Sequence, residues 1–203
     1  MKVFAIVLAA ALAWAGAASA QPAAATPAPT IVRGTLVGVS GDTLKVRRKK
    51  GPPVVVTMNT GWAVAVMKPI GPEAIQPGSF IGTAEMPQAD GTGRSLEVHI
   101  FPPGVKMGEG HYGWDLRQGS MMTNGTVGTV TATPKGRALT VSYPSGSRQI
   151  VVPPKVPIVQ ITPGTVAQLK PGVPLFLVAF PKPGGGLISN AVSIGENGKA
   201  PPM

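Results

Sequence analysis

Residues 34–50 read GTLVGVSGDTLKVRRKK. Leu44 and Val46 alternate with Lys45 and Arg47, so one face is apolar and the other charged, which is the period-two pattern of a half-buried strand. Ser40-Gly41-Asp42 is a turn signal between this strand and GTLVGV (34–39). The same order recurs downstream: GTVGTV (125–130), a turn at Pro134-Lys135-Gly136, then LTVSYPS (139–145). VVVTM (54–58) is answered by IVVPP (150–154), and IQPGSFIGTA (75–84) by LKPGVPLFLVA (169–179), with Gly78 matching Gly172. Each half closes on a strand, SLEVHIF (95–101) and LISNAVSI (187–194). From the third strand onward the offset is about 94 residues, the mark of an internal repeat. On SLEVHIF, Leu96, Val98 and Ile100 form one face and Glu97 and His99 the outward one.

Helix periodicity never exceeds one turn. The best short turns are Pro72 to Gln76 and Val166 to Leu169, at matching points of the two halves. Five strands with a brief helical turn between the third and fourth is the order of an OB-like barrel. The expected fold is therefore all-β: two tandem five-stranded OB-like barrels joined by an anchored linker. An eight-to-ten-stranded sandwich is the alternative use of the same strands. Around the repeat, MKVFAIVLAAALAWAGAASA (1–20) has a basic start, an apolar run and an A-x-A site, and reads as a signal peptide. Residues 21–30 (QPAAATPAPT) read as a Pro/Ala-rich leader. The expected division is barrel one at 31–101, linker at 102–124, barrel two at 125–195 and a tail at 196–203. No stretch after the signal has the length of a membrane helix. The chain has no Cys, so neither a disulfide nor a lipid-bearing Cys follows cleavage.

The pattern G-x-V-x-x-V, turn, L-x-V, L-x-P-G and a final A-x-x-I strand resembles a family of exported bacterial proteins of unknown function built from small OB-like domains. GEGHYGWDLRQGSMMTNGTV (108–127) and IGENGKAPPM (194–203) are closer still to a periplasmic subgroup sometimes labelled metal ABC transporter permease. A permease needs several membrane helices, and this sequence encodes none. The resemblance implies an exported, envelope-located protein and supplies no site residues.

Chemistry is sparse. There are two His, no G-x-S-x-G elbow, no G-x-G-x-x-G and no Walker loop, so a non-enzymatic role is expected. The net charge is +10, one less once Lys2 leaves with the signal, and favours anionic partners. Export and the few aromatics argue against nucleic acid. Lys45, Arg47, Arg48, Lys49 and Lys50 form the candidate anion-binding run, with an anionic polymer, a lipid surface or an envelope protein as partner. The segment MGEGHYGWDLRQGSMMTN (107–124) is the densest in functional groups. Its reading as an anchored linker makes Tyr112 and Trp114 the anchors between barrels, with Glu109 and Asp115 pairing Lys106 or Arg117. The alternative is a copper or zinc site from His111, Glu109, Asp115, Met107, Met121 and Met122, with His99 nearby. No cofactor is otherwise expected. Ligand identity, oligomeric state and the mutual orientation of the barrels are not encoded in these patterns. Trp62, whose counterpart lies near Val156, is expected at a core or interface position.

Overall fold

The computed structural model describes residues 28–49 and 51–203. The expected signal peptide, most of the leader and Lys50 lie outside the described residues. Among the described residues thirteen strands form one continuous sheet: β1 (Thr30–Ser40), β2 (Thr43–Arg48), β3 (Val54–Pro69), β4 (Phe80–Pro87), β5 (Gly93–Ser95), β6 (Val98–Ile100), β7 (Gly110–Gly113), β8 (Met121–Thr133), β9 (Gly136–Tyr143), β10 (Gly146–Val152), β11 (Ile158–Pro163), β12 (Pro174–Pro181) and β13 (Leu187–Gly195). The two short helical turns expected from sequence are 3-10 turns at Pro72–Ala74 and Val166–Gln168; a third lies at Glu196–Gly198. Among the described residues no helix is long and apolar enough to cross a membrane. Thr30, the last residue of the expected leader, already pairs with Ala179 and so belongs to β1.

The protein is all-β, with β13-β12-β1-β2-β3 closed into a five-stranded barrel by the β3–β13 pairing. Its strands come from both of the expected divisions: β1, β2 and β3 from 31–101, β12 and β13 from 125–195. The remaining strands continue the sheet, and β4 also pairs with β8, giving a second circuit β4-β5-β10-β9-β8. Here β4 and β5 come from the first half and β8, β9 and β10 from the second. Strand pairing thus crosses the division into 31–101 and 125–195.

The exchange is reciprocal. Gly34 pairs with Leu175, and Gly125, at the start of the matching GTVGTV stretch, pairs with Ile81. The amide of Gly172 donates to the Leu36 carbonyl at 2.8 Å, and that of Gly78 to the Val127 carbonyl at 2.7 Å. β1 and β8 bulge at equivalent points, after Leu36 and Val127. β3 and β11 meet antiparallel with Met67 opposite Ile161.

Three apolar clusters follow from this layout. One fills the closed barrel around Leu36, Leu44, Val46, Val56, Leu177 and Val192. The second fills the other circuit around Ile81, Val127, Leu139, Val141 and Ile150. The third lies between them, built on Met67, Val159, Phe176 and Met203, with Trp114 against it.

Candidate functional site

β2 is inserted between β1 and β3, and its inner residues Leu44 and Val46 are fully buried. Alternation then forces Lys45 and Arg47 outward, where both are exposed, as is Lys49 at the hairpin tip. Arg48 is half-buried and donates from Nε to the Pro52 carbonyl at 3.1 Å, folding along the tip. Among the described residues, ion pairs form at Asp115, Glu97 and Glu85 only, and none involves these cations. Glu85 and Glu97 are buried completely, so neither offers these cations a partner.

The 107–124 segment spans the two parts of the sheet. β7 pairs with β8, while Trp114 packs against Phe176 of β12 with ring centroids 6.2 Å apart. Arg33 of β1 lies 5.8 Å from the Trp114 ring and binds Asp115 at 2.8 Å. Asp115 therefore pairs with Arg33, not with Lys106 or Arg117, because β7 delivers it to the outer face of the closed barrel. Tyr112 accepts a 2.9 Å bond from Asn124 Nδ2 and donates to the Gly108 carbonyl at 3.1 Å. Tyr112 remains 37% exposed, and partial desolvation of the phenol raises its pKa, which the Asn124 bond opposes.

The metal candidates are dispersed. His111 Nδ1 lies 2.8 Å from Thr123 Oγ1 and 3.7 Å from Glu85 Oε1, with its ring stacked on Tyr143. Glu109 and Met107 are exposed, Met121 is half-buried and Met122 is buried. His99 is only 3% exposed. It was expected to face solvent, and Glu97 with it. Instead β6 lies between β4 and β11, and the face away from the core is covered. His99 Nδ1 sits 3.0 Å from Glu97 Oε2, while Phe101 meets its ring edge-on. The Ala84 amide donates to Glu97 Oε1 at 2.8 Å. Among the described residues no three His, Asp or Glu side chains converge as metal ligands. Trp62, half-buried against the first core, donates from its indole to Asp42 at 3.1 Å.

Sequence reasoning missed a polar cluster at one end of the second circuit. Arg148 Nε donates to Glu85 Oε1 at 2.7 Å, and its other nitrogens reach the Gly91 and Thr92 carbonyls. Thr83 and Ser95 share a 2.8 Å hydroxyl bond beside it. In the closed barrel the register places Ala179, Val54, Leu177 and Val32 where Glu85, Arg148, Thr83 and Thr123 stand here. The fold does not require charge at these points. Aligning the two halves was the available signal, since Glu85 answers Ala179. The cluster binds His111 and so fastens β7 over this end of the circuit.

Two open clefts lie at equivalent ends of the two circuits. One, of about 500 Å³, is bordered by Gln168, Lys170 and Glu196. The other, of about 490 Å³, is bordered by Phe80, Phe101, Pro102 and Lys106. No protein family, curated protein or solved structure matches this chain, and its function is read from these residues alone.

Proposed function

We propose that this chain is a non-enzymatic binding module of the bacterial envelope, exported and built from two OB-like barrels, that engages an anionic partner through the β2–β3 hairpin. The second circuit of strand pairings and the 3-10 turn at the same point of each half support the two-barrel description. One observation carries the functional reading. Lys45, Arg47 and Lys49 are exposed together on one hairpin with no carboxylate partner among the described residues. Such a strip attracts polyanions with an affinity that falls steeply as salt rises.

The test is binding to soluble polyphosphate across a salt series. Replacing Lys45, Arg47 and Lys49 with Gln lowers affinity about tenfold or more. Replacing Lys135, Lys155 and Lys182, exposed cations elsewhere, removes the same charge and has a much smaller effect. Equal losses in the two triple variants, or no binding by the wild type, would overturn the reading.

A further inference from the structure

Apolar side chains stand among the cations of this hairpin. Val55 is 55% exposed and Val37 41% exposed. Val55 lies directly opposite Lys45 in the β2–β3 register, so the two share the outer face as a cross-strand pair. Val37 is the extra residue of the β1 bulge, between the pairs Leu36–Val46 and Gly38–Lys45. It therefore stands outside, next to Lys45. Neither valine contributes to the interior of the barrel.

The other half of the repeat gives the control. There the same hairpin has Gly128 for Val37, Thr140 for Lys45, Ser142 for Arg47 and Gln149 for Val55. Gln149 donates to the Thr140 hydroxyl at 2.9 Å, and Thr129 bonds the same hydroxyl at 2.8 Å. That surface is polar, uncharged and internally bonded. The fold accepts it, so the mixture of cations and exposed valines belongs to the first hairpin and not to the architecture.

A soluble polyanion uses the cations and gains nothing from the valines. An anionic bilayer uses both: phosphates meet the cations, and the boundary between headgroups and acyl chains takes apolar side chains. We propose that the β2–β3 hairpin docks peripherally on an anionic lipid surface, with Lys45, Arg47 and Lys49 on the phosphates and Val37 and Val55 dipping below them. This rests on the anion-binding reading above and names its partner.

The experiment is vesicle co-sedimentation of the full chain, run beside the polyphosphate titration. Vesicles are phosphatidylcholine alone or mixed with phosphatidylglycerol. The wild type sediments with the mixed vesicles only. A Val37→Thr/Val55→Thr variant keeps β-branched residues at both strand positions and a wild-type urea midpoint. It loses about tenfold in vesicle affinity and binds polyphosphate as before. Wild-type vesicle binding by this variant overturns the lipid assignment. Polyphosphate binding without vesicle binding overturns it too but leaves the anion-binding reading standing. Failure to bind either probe overturns both.

Discussion

At Gly82 a hydrogen is all the space allows. A Cβ there would strike His99 Nε2 and Asn124 Oδ1, which meet over this residue from the neighbouring strands β6 and β8. Both are buried, so neither can swing into solvent without opening the layer between the circuits. Gly82→Ala is expected to cost about 1–3 kcal/mol by overpacking. Gly38→Ala, where a Cβ meets nothing within 4 Å, is expected to change stability by a few tenths at most; urea unfolding of both variants measures the contrast. This constraint was invisible in the sequence because His99 and Asn124 are brought to Gly82 by pairing, not by spacing. The same holds for Glu85 and Arg148, each unremarkable alone. Lys45 and Arg47 were legible at once, since alternation with buried Leu44 and Val46 fixes their direction without any knowledge of the partner strands.

Among the elements, β7 and the turn after it act as a strap. His111 is tied to Thr123 and stacked on Tyr143, Tyr112 is tied to Asn124, and Trp114 lies on the face formed by β1 and β12. Trp114→Ala is expected to destabilise the protein by about 3–5 kcal/mol, as truncation of a packed aromatic does. Trp114→Phe is expected to cost clearly less, because a phenyl ring keeps the stacking against Phe176 and Arg33. Chemical denaturation followed by far-ultraviolet circular dichroism reads both. Most of the strands and the 3-10 turns at Pro72–Ala74 and Val166–Gln168 were readable from period and from Gly/Pro punctuation; β7, inside the expected linker, and β11 were not. The facing of β6 was not. Alternation says which residues share a face, and only the sheet order says that both faces of β6 are covered.

Across the whole molecule, strand pairing interlocks residues 31–101 with residues 125–195. Contiguous strands usually neighbour one another, and that rule places β4 and β5 with β1 to β3. The structure pairs them with β8 and β10 instead. Sequence pattern cannot choose between these arrangements, because equivalent strands in the two halves present the same apolar spacing to a partner. The exchange is testable by nicking. The loop at 103–109 is exposed, and a protease site placed there yields fragments that share both circuits. These fragments are expected to co-elute as one species under native conditions and to separate only in denaturant. Release of two independently folded pieces in buffer would contradict the pairing. The closing strands also arrive late. The barrel begun by Thr30–Pro69 is finished by Pro174–Gly195, with β4 to β11 lying between them in sequence. Until β12 and β13 have been made, β1 lacks its partner on one edge and β3 lacks β13. Completion is thus withheld until β12 and β13 are available, and the edges held open meanwhile are exposed to off-pathway association.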